Sequence, residues 1–475
     1  MSGQIFSCHI NQNSGRKRLL FHRYDSSCRL LPYLYLSPSS MTRLEHHLSH
    51  LQRFGIRPGL ERVRAILSRL DNPQSSYPIV LVGGTNGKGS TCEFLARRLA
   101  SKGKASEGKV VGLFTSPHLY KWNERIRVLD SVVFSSDALF PGAISDDEFD
   151  ELFDEMKPHL DEIAGDANLG QPTEFETLTA LGLLYFARRK VDIAVVEVGL
   201  GGRWDATNVV EPLVSVVTHV ALDHCDRLGN THVEIARDKV QIARLGRVFV
   251  TAEARADVLQ VFQAHCDQIG ARLWSFRSIE YSNDRASLQA VVDALPETQD
   301  QTTPEFQIEN AQTAFVAQAA LAQSDARFFR PDSETEQSVL STTVAGRFQI
   351  VAHDPTVVLD GANNPDGAAQ LARQLARWLA QHPGSRLILV LGILADKDYR
   401  AMIALLAPLA ARVVATQSNS PRACAADEVA LTAQQFCDHV EIVVPVRAAL
   451  EAARQSSTRD DIICVTGSFY TVGEA

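Results

Sequence analysis

The stretch PIVLVGGTNGKGST, Pro78 to Thr91, constrains this chain more than any other. Pro78 to Val82 is a short apolar run with no helical period, which reads as a buried strand. It passes directly into a glycine-rich loop and then into a helix predicted from about Thr91 to Lys102. Glycines let successive backbone N–H groups converge on phosphate oxygens, a helix N-terminus adds a favourable dipole, and Lys88 supplies a point charge. Gly84, Thr85, Asn86, Gly87, Lys88, Gly89 and Ser90 are therefore the candidate nucleotide contacts. The loop departs from the strict P-loop template, because Val82 stands at the first glycine position and Gly89 follows the lysine. A purely structural turn is the competing reading, and Gly-Lys-Gly-Ser between strand and helix favours nucleotide binding.

Apolar runs alternate with helical patterns along most of the chain, the signature of a parallel α/β sheet. Further strands are expected at Val110–Phe114, Val191–Val198 and Leu213–Val220, with helices at Thr177–Arg188 and Gln307–Gln323. Residues from about Ser278 to Thr303 are polar and weakly periodic, and predict an irregular excursion. A second alternating unit starts near Arg347. Its strands are Val357–Leu359, Leu387–Leu391, Arg412–Ala415, Val440–Val444 and Ile462–Val465, with helices at Asp366–Gln381, Tyr399–Leu409 and Ala425–Cys437. The polar stretch Pro331–Thr343 is the best linker, giving domains at 41–340 and 345–475. A length of 475 residues agrees with two domains.

The 47 basic and 56 acidic residues leave a net charge of −9, which points away from nucleic-acid and membrane surfaces. The longest apolar run, Leu387–Leu394, is far short of the ~18 residues that span a bilayer. Eight cysteines are scattered without a CxxC pair, which argues against a zinc site or a disulfide framework and for a reducing, cytoplasmic compartment. Residues 1–40 differ: Arg16, Lys17, Arg18, Arg23 and Arg29 face a single acid, Asp25. That composition resembles a mitochondrial transit peptide, and a mis-assigned start ahead of Met41 fits equally well.

The loop GTNGKGS resembles that of the Mur-ligase superfamily, in particular its folate branch, the dihydrofolate synthase/folylpolyglutamate synthase family. Further segments resemble that branch in the same order. They are Thr115–Leu119 with Asn123–Ile126 (TSPHL…NERI), Thr173–Glu176 (TEFE), Glu197–Arg203 with Asp205–Asn208 (EVGLGGR, DATN), and Leu222–His224 with Leu228–Thr231 (LDH, LGNT). Ala345–Phe348 (AGRF), Asp360–Pro365 (DGANNP) and Gly467–Tyr470 (GSFY) complete the set. The resemblance covers about residues 41 to 475. It implies a P-loop-type ATPase domain, a smaller Rossmann-like domain, and an active site in the cleft between them.

The implied chemistry is an ATP-dependent amide synthesis in which an acyl phosphate is formed and an amine then attacks it. Such phosphoryl transfer needs a phosphate cradle, divalent metal and cationic charge. By resemblance Lys88, His224 and Lys239 are catalytic, and Ser116, Glu197 and His224 hold two Mg²⁺ ions. Asn310, Arg347 and Asp360 contact ATP, while Thr173, Phe175, Glu176 and Asp205 contact the pterin. Asp396-Lys397-Asp398 lies on the cleft side of the second domain. Lys239, in ARDKVQI, matches a lysine that the family carbamylates. Bland readings exist for each: a solvated strand end for Glu197, a satisfied structural histidine for His224, an exposed helical lysine for Lys239, a linker arginine for Arg347. The implied partners are small molecules (ATP, glutamate, and dihydropteroate or a folate), and a monomer is expected.

Three departures from the family pattern stand out. Asn363 replaces the usual histidine of DGAHNP, Trp204 replaces the common leucine of GGRLDATN, and Ala395 precedes DKD where some relatives have histidine. Trp204 is expected to reshape the pocket beside Asp205. GTNGKGS, TEFE and the terminal GSFYTVGE are similar to those of fungal dihydrofolate synthases, which favours that activity over polyglutamylation. A bifunctional enzyme, a Mur-type cell-wall ligase and a catalytically silent nucleotide-binding scaffold, for which Asn363 is the best support, stay as alternatives.

Overall fold

The computed structural model describes residues 42–51, 55, 57–101, 108–133, 138–295, 303–328 and 342–475. The N-terminal extension 1–40 and nearly all of the expected linker lie outside the described residues. Two α/β domains result, each built on one mainly parallel sheet. The first sheet contains β1 (Ile79–Gly83), β2 (Val111–Phe114), β3 (Ile126–Leu129), β4 (Ile193–Glu197), β5 (Val214–Val217), β6 (Val248–Thr251) and β7 (Arg272–Ser275). Their order is β3-β2-β4-β1-β5-β6-β7, and only β3 runs antiparallel, against β2. Every residue of β1, β4 and β5 is buried. That explains their unbroken apolar runs, since helices cover both faces of a parallel sheet.

On one face the helices Lys88–Ala100 and Glu305–Ser324 pack through Phe94, Leu95, Leu99, Ala314, Val316 and Leu321. On the other, Glu174–Arg188 packs through Leu178, Leu181 and Phe186. The second sheet runs β12-β11-β10-β13-β9-β8, from β8 (Gln349–Ala352), β9 (Thr356–Asp360), β10 (Leu387–Leu391), β11 (Arg412–Ala415), β12 (Val440–Ile442) and β13 (Ile462–Thr466). All neighbours are parallel except β8 with β9. The helices Pro365–Gln381, Tyr399–Leu406 and Ala426–Ala433 cover one face, and Val446–Gln455 covers the other.

The structure corrects several sequence expectations. The excursion at 278–303 is not irregular throughout: Arg285–Val292 is a helix whose Leu288 is buried, with Val291 and Val292 packed beside it at helical spacing. The helix after the glycine-rich loop begins at Lys88, so Lys88, Gly89 and Ser90 are already helical. Strands β3, β6 and β7 had no distinct signal, being four residues each. Among the described residues no helix is long and apolar enough to cross a membrane.

In open α/β sheets ligands bind beyond the carboxyl ends of the strands. Gly83 ends β1, Glu197 ends β4 and Asp360 ends β9. Gly83 and Glu197 lie side by side on neighbouring strands of the first sheet, and Asp360 lies in the wall of the cleft between the domains.

Candidate active site

The glycine-rich loop folds as its residues demand. Gly84 has φ +135°, and a Cβ there would lie 1.9 Å from Thr218 Oγ1. Gly87 has φ +83°, and a Cβ there would lie 2.3 Å from Asn310 Oδ1. Both positions need glycine for conformation and for space. The loop is stitched to the end of β5: Thr85 N–H donates to the His219 carbonyl at 2.8 Å, and Thr218 Oγ1 donates to the Asn86 carbonyl at 2.7 Å. Lys88 Nζ donates to the Thr85 carbonyl at 3.1 Å, folding the ammonium back over the loop.

Glu197 is buried beside this loop. Its Oε2 accepts the Ser116 N–H at 2.9 Å and lies 3.4 Å from where a Gly89 Cβ would be. Burial pushes its carboxyl pKa up, against the charge of Lys88. Lys239 is also buried, and its Nζ donates to the Gly84 carbonyl at 2.9 Å. Burial first, then the charge of Lys88, brings its pKa down to about 7. Lys239 is thus no exposed helical lysine. His224 takes a left-handed conformation, φ 52°, and projects into the cleft, with Nε2 3.3 Å from Lys397 Nζ. Burial lowers its pKa. Asp223 and Lys397 form an ion pair at 2.6 Å that joins the two domains.

The cleft has a volume of about 2240 Å³. Asn86, Gly87, Ser90, His224, Asn310, Arg347 and Asp360 all line it. Arg347 is half-buried, with its guanidinium 4.3 Å from the Phe469 ring centroid, and Asp360 accepts the N–H groups of Phe348 and Ala362 at 2.8 and 2.9 Å. Gly89, Ser116 and Glu197 line a smaller cavity of about 70 Å³, with Arg347 in the wall of both.

The four expected pterin contacts divide. Phe175 lines the cleft, its ring packed on Gly199 so closely that a Cβ there would sit 2.5 Å from Cζ. Thr173, Glu176 and Asp205 do not line it. Thr173 and Glu176 cap the helix Glu174–Arg188 reciprocally, as a capping box does. Glu176 is also paired with Arg62 at 2.9 Å, away from solvent. Asp205 caps the turn Ala206–Val209 and accepts from the Leu200 N–H. Trp204 is 48% exposed, under the Arg203 guanidinium and outside the cleft wall, so it does not shape the pocket as expected. Side chains with no assigned role build the recess beside Phe175 instead: His118, Trp122, Arg125 and Glu174. The His118 and Trp122 rings are 4.5 Å apart, and Arg125 donates to His118 Nδ1 at 2.9 Å while covering the Trp122 ring. His118 and Arg125 sit inside recognised motifs, and only their packing places them in the cleft wall.

Comparison with known proteins settles the family. The Mur ligase, glutamate ligase domain family matches residues 346–469. The dihydrofolate synthase/folylpolyglutamate synthase of Bacillus subtilis is 32% identical over 435 residues, covering 89% of this chain and 95% of that protein. The chain belongs to the dihydrofolate synthase/folylpolyglutamate synthase family. A probable bifunctional folylpolyglutamate synthase/dihydropteroate synthase of Haloferax volcanii is 36% identical over 91% of this chain, which spans only 50% of that longer relative. Among solved structures, Escherichia coli FolC in complex with DHPP and ADP superposes with a TM-score of 0.74, at 27% identity over 92% of this chain and 97% of that one. A bifunctional folylpolyglutamate synthase/dihydrofolate synthase with Mn, AMPPNP and L-glutamate bound gives 0.71, at 28% identity over 92% of this chain and 97% of that one.

As a member of this family the chain is an ATP-dependent carboxylate–amine ligase, and the site suits that chemistry. No group of three His, Cys, Asp or Glu side chains that could hold a metal converges among the described residues. An ion at Glu197 would take its remaining ligands from hydroxyl, phosphate and water oxygens, as hard divalent cations do. A buried carboxylate with its pKa raised by desolvation is the kind of group that such an ion satisfies.

Proposed function

We propose that this ligase joins L-glutamate to dihydropteroate at the expense of ATP, making dihydrofolate. One observation carries the reading: a single cleft has the phosphate loop at one part of its wall and an aromatic recess at another, joined through the β4 end. Phe175 lies on Gly199, two residues beyond Glu197, so a flat ring held in the recess directs an attached carboxylate toward the loop. Trp122, His118 and Phe175 supply flat faces of the kind a pterin stacks on.

In this reading the carboxylate takes the γ-phosphoryl group and becomes an acyl phosphate, with ADP as the leaving group. The glutamate amine, once deprotonated, attacks the acyl carbon and expels phosphate. Lys88 and Arg347 place cationic charge from the two domains on the same phosphate region, where charge redistributes during transfer. Asp360 holds the backbone beside Arg347, and closure keeps water from the acyl phosphate. Mg²⁺ is the ion proposed for Glu197 and Ser116, with a second at His224; bound, it polarises phosphate oxygens. Lys239, with a pKa of about 7, holds enough neutral amine at neutral pH to take up CO₂ as a carbamate, releasing one proton.

The test is a product assay with ATP, Mg²⁺, glutamate and either dihydropteroate or tetrahydrofolate. Dihydropteroate is expected to give at least about tenfold higher kcat/KM, a difference of ~1.4 kcal/mol in transition-state binding. Comparable values on both would show a bifunctional enzyme, a reading that the double name of the Bacillus subtilis relative favours. Preference for tetrahydrofolate would overturn the proposal.

A further inference from the structure

Asp366 lies at the second position of the helix Pro365–Gln381, in the second domain. Three donors converge on its Oδ2: Asn86 Nδ2 at 2.8 Å, His219 Nε2 at 2.9 Å and Gln370 Nε2 at 3.0 Å. Only Gln370 belongs to the same helix. The other two belong to the first domain, one on the phosphate loop and one on the segment that the loop is stitched to. The neighbouring Asn364 completes the junction. Its Nδ2 donates to Asn86 Oδ1 at 2.9 Å and to Asp223 Oδ2 at 3.0 Å, and its Oδ1 accepts from Asn86 Nδ2 at 3.0 Å.

The amide of Asn86 is therefore committed to the second domain on both its atoms. This leaves the gripping of phosphate to the loop backbone and Lys88. Capping of the Pro365–Gln381 helix does not account for the arrangement. The N-cap is Asn364, whose Oδ1 accepts the Gly367 N–H at 2.8 Å, and Asp366 Oδ2 accepts no backbone N–H there. The junction lies in the cleft wall, with Asn364 buried and the His219 and Asp366 side chains 21% and 36% exposed. Burial alone would raise the Asp366 carboxyl, yet His219 and Asn86 hold it at about 2, so the acceptor is anionic.

We propose that Asn86, His219, Asn364 and Asp366 form a latch between the phosphate loop and the second domain, and that Asp366 is a positioning residue for ligation. The bonds exist only when the domains are together, so they favour closure by their own free energy. Linkage makes the effect reciprocal: whatever orders the loop also favours the closed arrangement. His219 serves twice, because its carbonyl fixes Thr85 while its ring meets Asp366. The inference rests on the ligase reading of the same cleft, but closure can be measured without knowing which acid is ligated.

The experiment compares the parent with Asp366→Ala, Asp366→Asn, His219→Ala and the double variant Asp366→Ala/His219→Ala. ADP-induced compaction is followed by small-angle scattering, ADP affinity by calorimetry, and ligation by steady-state kinetics. Asp366→Ala is expected to lose the compaction, to drop kcat roughly tenfold or more and, by the same linkage, to weaken ADP binding several-fold without abolishing it. Asp366→Asn keeps a carbonyl oxygen for Asn86 and His219 and should recover most of kcat. The double variant should be no worse than Asp366→Ala alone, because both changes break one junction. Full compaction with parental kcat in Asp366→Ala would overturn the latch, as would additive losses in the double variant. Loss of ADP binding together with kcat would overturn it too, by assigning Asp366 to the phosphate grip itself. Should Asp366→Ala fail to fold, His219→Gln, which alters only a side chain in the cleft wall, carries the same test. Absence of ligation with compaction intact in the parent would count against the ligase reading alone.

Discussion

Replacing Lys239 with methionine removes a buried amine from the site. Its ammonium is buried and meets one carbonyl, that of Gly84, at 2.9 Å. A pKa brought from 10.5 to about 7 means that the folded chain resists the proton. The difference corresponds to about 5 kcal/mol, an upper bound at ~1.4 kcal/mol per pH unit. Below about pH 7 both the folded and unfolded chains carry the proton, and the whole penalty is present. Between about pH 7 and pH 10.5 only the unfolded chain carries it, so stability rises with pH. Methionine keeps the length of the side chain and removes this dependence, at a pH-independent cost of ~1 kcal/mol for the Gly84 carbonyl. Urea unfolding of both proteins in CO₂-free buffer, from about pH 6.5 to about pH 9.5, gives a difference curve in which other titrating groups cancel. The parent should gain a few kcal/mol relative to Lys239→Met over that range. A flat difference would refute the buried, destabilised amine. Bicarbonate at pH 8 should stabilise the parent and not the variant, with the mass increment of one CO₂ in the parent's intact-protein spectrum.

Three further outcomes are expected. Lys88→Ala should lose roughly 10²–10³ in kcat with an unchanged circular dichroism spectrum, since in the proposed mechanism the ammonium acts on developing phosphate charge; near-parental turnover would remove Lys88 from the chemistry. Glu197→Gln should shift the Mg²⁺ titration to higher concentration and lower kcat together, because an amide lacks the anionic charge that holds the ion; superimposable titrations would make Glu197 a strand-end residue. Arg62→Met should cost about 3–5 kcal/mol by leaving the Glu176 carboxylate buried and unpaired. An unchanged urea midpoint would show that Glu176 is not the structural ion that its pairing implies.

Local rules made much of the architecture legible. Pro78–Val82, Leu387–Leu391 and Ile462–Val465 are continuous apolar runs because helices bury both faces of each strand, and they fall on β1, β10 and β13. The glycines of the loop betrayed a tight phosphate-type turn because only glycine fits φ +135° at Gly84 and φ +83° at Gly87. Motif order also put Glu197 and Asp360 at strand ends. What motif matching could not do was separate side chains that share a motif. In TEFE, Thr173 and Glu176 are three apart and cap each other, while Phe175 turns to the cleft. Trp204 likewise sits next to Asp205 in sequence and faces solvent, because burial depends on what packs above the residue and not on its neighbours in the chain.

The sequence by itself determined two parallel α/β domains, a phosphate loop and the family, because each rests on interactions between residues close in the chain or on ordered motifs. Only the tertiary structure decided which side chains meet across the cleft. Asn86 and Asp366 are 280 residues apart and Asp223 and Lys397 are 174 apart, while Arg62 and Glu176, paired inside the first domain, are 114 apart. Nothing in a local pattern encodes such pairs. They form because packing of the two sheets brings strand ends together, and because a buried polar group in that cleft must find its partner wherever the fold has placed one.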